Sequence, residues 1–235
     1  MTSIGPGEQF DLRAADFDAA YRGEPIAEGV RFPRVPWDIG AAQPPVVELE
    51  RRGRIVGDVL DVGCGLGDNS IFLAGRGYRV TGIDTARSAI DQAGDRARRW
   101  GVDVEFAVAD ATSLPGYEGR FDTVLDSTLY HCLDQEQRRR YTAALHRVTR
   151  PGAALYLFCF PDTAPPGPTA RLGVSEPNLR ITLTGAGWTV TDLRQTTYLV
   201  DTIAAGDLFT DQYYARTEDD TRIQIPMWAL QAHRI

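Results

Sequence analysis

From residue 57 onward the sequence alternates between short apolar runs and amphipathic stretches, with only a few turn residues between them. That rhythm constrains the fold more than any other feature. Strands joined through helices run parallel, and the helices then cover both faces of the sheet. The runs "GDVLDVG" (57–63), "YRVTGID" (78–84), "VDVEFAVAD" (102–110), "FDTVLD" (121–126) and "AALYLFCF" (153–160) predict five strands. Helices are expected at 67–76, after Asp84, and at 134–149. In the second of these Ala86, Ile90, Ala93, Ala97 and Trp100 share a face; in the third Tyr141, Leu145 and Val148 form a stripe that Pro151-Gly152 ends. A helix near 175–186 and strands near 188–196 and 222–233 complete the pattern. No helix separates those last two strands, so the final one is expected to be antiparallel. The prediction is an α/β chain with seven strands, mostly parallel, whose ligands bind beyond the carboxyl ends of the strands.

The first 44 residues do not share the rhythm. Residues 8–21 set Phe10, Phe17 and Tyr21 among acids, which predicts an amphipathic helix, and "GEPIAEGVRFPRVPWDIGAAQPP" follows as a Pro/Gly-rich connection. A loop of that length in a compact chain is usually functional or disordered. A short helix is expected at about 45–53. The division read from this is a covering segment over 1–44 and a main domain over 45–235.

Composition removes several chemistries. All 25 basic residues are Arg, so no lysine can form a Schiff base or grip a phosphate loop. The net charge of −7 argues against a general nucleic-acid binder. Cys64, Cys132 and Cys159 have no metal-ligand spacing and an odd count, so neither a disulfide scaffold nor a metal site is expected. The start "MTSIGPGEQF" lacks the pattern of a signal peptide, and the longest apolar run is too short to span a bilayer. A soluble, cytoplasmic protein without membrane partners is expected, as a monomer or homodimer.

The chemistry concentrates in "VLDVGCGLGDNS" (59–70). Gly63, Gly65 and Gly67 stand between a strand and a helix, where a ligand approaches the backbone closely. Asp61 closes the first strand and Asp84 the second, and an acid at the second position typically accepts ribose hydroxyls. A dinucleotide fold would instead show G-x-G-x-x-G with a helix N-terminus facing pyrophosphate. Here Asp68 occupies the third glycine's place, and with Asp61 it would repel that group. The pair of acids suits a ligand with ribose at one end and an ammonium at the other, as in S-adenosylmethionine.

Over most of residues 45–235 the chain resembles the class I S-adenosylmethionine-dependent methyltransferases, which implies a Rossmann-like sheet. The resemblance implies that the Asp61-x-Gly63-x-Gly65-x-Gly67 segment wraps the methionine part of the cofactor, with Cys64 as a small neutral filler. Asp84, with Thr85 beside it, would take the ribose hydroxyls. Asp110 and Ala111 of "VADATSLP" would border the adenine. Asp126 and Ser127 would lie near the methionine amine and the methyl group. Each acid also has a plainer reading as a turn former or cap, which for Asp68 and Asn69 is the preferred one.

"RVPWDIGAAQPP" (34–45) resembles the segment that folds over the cofactor in small-molecule methyltransferases, making Trp37 a lid or stacking residue and Asp38 the residue that orders the loop. The plainer alternative is that Trp37 only anchors the loop. Together "FDAAYRGEP", "PWDIG", "FDTVLDSTLYH" and "MWALQAHR" are similar to actinobacterial methyltransferases of hydroxyquinolone-type heterocycles. The implied reaction moves a methyl group to O, S or N of a small aromatic or heterocyclic acceptor by in-line displacement. If that acceptor arrives protonated a base is needed, and His131 is the natural one, with Tyr130 lining the same pocket. His146 and His233 read as structural, while Tyr213, Tyr214 and Trp228 read as the far pocket wall or as core. Two rival functions stay open: a nicotinamide-dependent oxidoreductase, and a cyclase or non-methylating protein that keeps the cofactor.

Overall fold

A computed structural model of the chain describes residues 15–28, 30–32, 34–165, 170–202, 214–219 and 221–235. Phe10, the first half of the helix expected over 8–21, and Tyr213 lie outside these residues. Along the described chain the strands are β1 (Asp58–Val62), β2 (Arg79–Asp84), β3 (Glu105–Val108), β4 (Phe121–Ser127), β5 (Thr149–Cys159), β6 (Trp188–Asp201), β7 (Ala215–Arg216) and β8 (Arg222–Arg234). The helices are α1 (Phe17–Tyr21), α2 (Pro44–Arg51), α3 (Asp68–Gly75), α4 (Arg87–Trp100), α5 (Gln135–Val148) and α6 (Glu176–Gly185).

The strands form one sheet in the order β3-β2-β1-β4-β5-β8-β6, with the short β7 paired to β8. Strands β1 to β5 are parallel, and β8 runs antiparallel to both β5 and β6. The seven expected strands are all present and β8 is antiparallel as expected; β7 is an addition, since two residues carry no readable periodicity. Burial follows from the pairing. Central β1 is buried along nearly its whole length, as a sandwiched parallel strand must be, whereas β8 alternates buried and half-buried residues. One apolar cluster, with Leu60, Tyr141, Leu145 and Trp188, packs under α5 and α6. A second, with Val46, Leu73, Phe158 and Ile225, fills the other face.

Two local details depart from the periodicity. Strand β5 starts at Thr149 and runs through Pro151-Gly152, because a bulge in its pairing with β4 accommodates them. Trp100 is 72% exposed rather than on the buried face of α4. It is the last helical residue before left-handed Gly101, so the stripe has run past the sheet by that point.

Helix α5 begins with a capping box: the Asp134 carboxylate accepts from Gln137 N at 2.8 Å, and Gln137 Oε1 accepts from Asp134 N at 2.8 Å. Asp134→Ala is expected to cost about 1 kcal/mol and lower the melting temperature by about 2–4 °C. Thermal unfolding checks this, and an unchanged midpoint would mean the box adds nothing.

Candidate active site

The strand order reverses between β1 and β4, so the helices leaving them diverge and open a crevice above the carboxyl ends of the strands. That crevice forms a cleft lined by the glycine loop, the ends of β1, β2 and β4, the N-terminal segment, and residues of β6 and β8. Gly63, Gly65 and Gly67 all have left-handed backbones (φ 68°, 54° and 82°). Space adds to the requirement: a Cβ on Gly65 would sit 2.8 Å from the Tyr21 hydroxyl, and one on Gly67 2.8 Å from the Phe106 ring.

Two carboxylates border this loop. Asp84 Oδ2 accepts from Gly65 N and Oδ1 from Ala86 N, both at 2.9 Å. Each oxygen keeps a lone pair, which leaves the side chain able to accept a pair of hydroxyls. Asp61 is completely buried. Its Oδ2 accepts from Ser70 Oγ at 2.6 Å, while Oδ1 has no hydrogen-bond partner although the residue lines the cleft. Burial, with the nearby Asp84 charge adding to it and the Ser70 bond opposing, pushes Asp61 up to about 7. A buried acceptor atom without a donor is costly, and a ligand ammonium at this place would satisfy it.

Of the residues singled out from the sequence, Trp37, Asp61, Gly63, Cys64, Gly65, Gly67, Asp84, Thr85, Ala111, Ser127 and His131 line the cleft. Asp110, Asp126 and Tyr130 do not. Asp110 is exposed and holds its own turn, accepting from Thr112 N at 2.8 Å and Thr112 Oγ1 at 3.0 Å. Asp126 precedes Ser127 on a pleated strand, so the two point to opposite faces. Its carboxylate turns inward and accepts from Tyr141 Oη at 2.7 Å and Leu129 N at 2.9 Å. Tyr130 is fully buried, its ring centroid 6.2 Å from that of Tyr141 and its hydroxyl donating to Asn178 Oδ1 at 3.3 Å. The expectation that Tyr130 lines the acceptor pocket is therefore corrected. Residues 130–132 form a 3₁₀ turn, which sends Tyr130 to the core and its neighbour His131 to the cleft. Thr128, just before this turn, holds a left-handed backbone (φ 83°), a strained state for a β-branched residue at a strand exit.

His131 is buried against Phe160, with ring centroids 4.2 Å apart, and its Nδ1 accepts from Phe160 N at 3.4 Å. His146 packs edge-on to Trp188 and His233 contacts Gln231, both away from the cleft. Trp228 donates to Val174 O at 2.9 Å and Tyr214 packs in the second apolar cluster; neither is among the residues that line the cleft.

The N-terminal segment covers the glycine loop. Trp37 lies among Phe17, Tyr21 and Phe32, with centroids 5.9–6.3 Å away, and donates to Tyr21 Oη at 3.0 Å. Asp18 accepts from Ser88 N at 2.7 Å, serving the α4 terminus whose own N-cap, Ala86, has no side-chain bond to offer. Arg96 of α4 grips Asp38 bidentately (2.9 and 2.7 Å) and also reaches Asp68 at 3.0 Å. Asp68 and Asn69 thus do not cap α3, whose N-cap is Gly67; Asn69 instead accepts from Gln43 N at 3.0 Å. Gln43 also spans both backbone groups of Leu199 on β6 (2.9 and 3.0 Å).

The sequence did not point to Gln43, Phe160, Tyr198 or Ile225 as cleft residues, yet all four line it. Tyr198 lies beyond the expected end of its strand at 196, and nothing local marks any of them.

Comparison with known proteins agrees with this geometry. The family described as a methyltransferase domain matches residues 59–152. The 2-heptyl-1-hydroxyquinolin-4(1H)-one methyltransferase of Mycobacteroides abscessus is 39% identical over 225 residues, spanning 93% of this chain and 96% of that protein. A solved structure concerned with the conversion of a disulfide bond into a thioacetal group during echinomycin biosynthesis is 35% identical, with a TM-score of 0.77, and covers 93% of this chain and 90% of that one. The Burkholderia thailandensis 1,6-didemethyltoxoflavin-N1-methyltransferase, solved with its heterocycle and S-adenosylhomocysteine, shares the fold at 23% identity and a TM-score of 0.59 over 81% of this chain and 76% of that one.

Proposed function

This chain belongs to the S-adenosylmethionine-dependent methyltransferases, and on that premise we propose that it methylates a hydroxyl on a small, flat heterocycle of the hydroxyquinolone class. When bound, the cofactor supplies a methyl group made electrophilic by a sulfonium.

The remaining work falls to side chains of the cleft. Asp61 offers its unpartnered Oδ1 to the ammonium end of the cofactor, and Asp84 accepts the ribose hydroxyls. The glycine loop lets the backbone come close, Ala111 and Thr85 border the nucleoside, and Cys64 fills space as a neutral thiol. Asp110, which holds its own turn, keeps a lone pair on each oxygen that can still serve the adenine. Asp126 acts through the turn it organises rather than by contact. The segment up to residue 44 works as a cover, with Trp37 closing the cleft so that water stays out and the acceptor is held in line.

The observation that carries the acceptor class is the lining on the N-terminal, β5, β6 and β8 sides. Phe17, Phe32, Phe160, Val200 and Ile225 make it apolar, and no arginine is among the described lining residues. Such a wall favours a flat aromatic molecule over a strongly charged one. The Mycobacteroides abscessus relative, matched nearly end to end, acts on a molecule of this description by its name. A sulfur acceptor is the second reading, favoured by the 35% identity to the structure concerned with thioacetal formation. Among the described residues no helix is long and apolar enough to cross a membrane. With a soluble acceptor in view, we assign the chain to the cytoplasm as a monomer or homodimer.

Mass analysis after incubation with S-adenosylmethionine and separate hydroxyquinolones, phenols and thiols tests the proposal. A singly methylated hydroxyquinolone is expected; methylation of thiols alone would replace it with the second reading. His131→Ala is expected to lower kcat about 10–100-fold while the Kd for S-adenosylhomocysteine stays within about twofold. A collapse of that Kd would instead make His131 a packing residue.

A further inference from the structure

Two hydroxyls on the far side of the cleft hold one proton more than they use between themselves. Tyr198 of β6 and Ser127 at the end of β4 both line the cleft, with 3.0 Å between their hydroxyl oxygens. Strands β8 and β5 lie between β6 and β4 in the sheet, so the tyrosine ring reaches over them to make this contact. Each hydroxyl owns one proton, and the mutual bond uses one of the two. No other described group bonds either hydroxyl, so one O–H is left to donate elsewhere. Burial pushes the Tyr198 hydroxyl well above its ordinary range, so it keeps its proton throughout neutral pH.

The surroundings hold this donor in place. Phe158 packs on the Tyr198 ring, with centroids 5.2 Å apart, and Gln43 of the cover holds both backbone groups of the next residue, Leu199. Tyr198 pairs in register with Ile225 of β8, and Val200, two positions along, faces the same way. The Ile225 and Val200 side chains line the cleft and bring only carbon to it. A ring pressed against this wall strips the spare O–H of water and must offer it a lone pair in exchange.

We propose that the Tyr198–Ser127 pair determines acceptor specificity: its spare O–H donates to a second polar atom of the acceptor, a keto oxygen set apart from the hydroxyl that is methylated. This rests on the hydroxyl-methylating reading given above and narrows it to rings that carry a carbonyl. A bond from the pair to the attacking oxygen would hold back the lone pair that must reach the methyl group. A ring with no second polar atom would bury the O–H without a partner, which is the costly case. The pair therefore turns a ring of the right shape in one direction, carbonyl towards β6 and β4, and rejects plain phenols of the same size. Because Gln43 ties the cover to the strand that carries Tyr198, the same contact also sets where the cover stands relative to the bound ring.

The test compares two probes, each bound in the presence of S-adenosylhomocysteine. One is a 2-alkyl-3-hydroxyquinolin-4-one. The other is a 3-alkyl-2-naphthol with the same chain, which keeps the flat bicycle and the hydroxyl but has neither keto oxygen nor ring nitrogen. Isothermal titration gives the ratio of their Kd values, and general hydrophobicity cancels when that ratio is compared between parent and variant. In Tyr198→Phe/Ser127→Ala the preference for the quinolone is expected to fall about 10–100-fold. Phe keeps its ring on Phe158 and Ala removes a single oxygen, so the Kd for S-adenosylhomocysteine should change by less than about threefold. One of the two single variants should keep most of the preference, because the outer donor survives loss of the inner one. A ratio within about threefold of the parent in the double variant overturns the proposal. So does a loss of S-adenosylhomocysteine affinity with the ratio unchanged, which gives the O–H to the cofactor. Equal loss in both single variants overturns the count of one spare O–H. If the parent binds no hydroxyquinolone, the acceptor class itself falls and this contact with it; binding with an unchanged ratio sinks only the contact.

Discussion

Asp61→Asn is expected to weaken S-adenosylhomocysteine binding about a hundredfold, roughly 2.8 kcal/mol. The substitution keeps the shape and an acceptor for Ser70 Oγ but removes the charge behind the unpartnered Oδ1. An ammonium placed there would then be buried without its counter-ion, and breaking one side of a buried pair is the expensive case. Isothermal titration checks it; an affinity within about threefold of the parent would place the ammonium elsewhere. The same carboxylate predicts a pH signature. Without ligand its pKa is pushed up to about 7, whereas an unfolded Asp titrates near 3.8. The folded protein therefore holds a proton the unfolded chain has lost between these values, and this group's stabilising share falls as pH rises through that window and is gone above it. Ligand binding has the opposite slope, because the ammonium needs the ionised form. Affinity should rise with pH and level off above about 7, with proton uptake by buffer near pH 6 that disappears in Asp61→Asn.

The second large effect is expected at Arg96. This guanidinium joins Asp38 of the cover to Asp68 at the start of α3, and Asp38 is only 7% exposed. Burial raises Asp38, but the Arg96 bonds and charge overcome it and hold the group below its usual range. Burial takes Asp68 up to about 6, with Arg96 opposing and Asp38 adding. Arg96→Met leaves two carboxylates facing each other without a cation. A cost of about 2–3 kcal/mol is expected, less than for a fully buried pair because the Arg96 side chain is 21% exposed. Thermal unfolding at neutral pH should show a fall of about 4–10 °C. The deficit should shrink as pH is lowered to about 4, where protonation relieves the repulsion. A deficit that does not change with pH would mean lost packing of the arginine stem rather than lost pairing.

The parts of the site that the sequence made legible share one property: each acts through its position in the chain. The three glycines, Asp61 and Asp84 occupy the exits of the first two strands, and a parallel sheet brings strand exits together whatever the rest of the chain does. His131 was found through a short motif just past the exit of β4, and Trp37 through the resemblance of the segment before the first strand. Where the reading failed, it failed on direction. Tyr130 and His131 are adjacent in sequence, and only the 3₁₀ turn decides which of them reaches the cleft. Asp126 and Ser127 differ in the same way through the pleat. Trp100 kept the helical spacing of a buried residue but lies where the helix has outrun the sheet.

The sequence by itself determined the sheet, its glycine loop, the acids at the strand exits and the family. Those follow from periodicity and from residues that contact near neighbours along the chain. The far wall of the cleft was decided by the tertiary structure alone. Gln43 binds Leu199 156 positions away, and Tyr198 meets Ser127 across 71. Polar bonds of that span leave no local periodicity, because neither partner's neighbours in sequence need to change to accommodate them. Only when β6 is folded alongside β8, and the cover is laid across its edge, do these groups come within reach of one another.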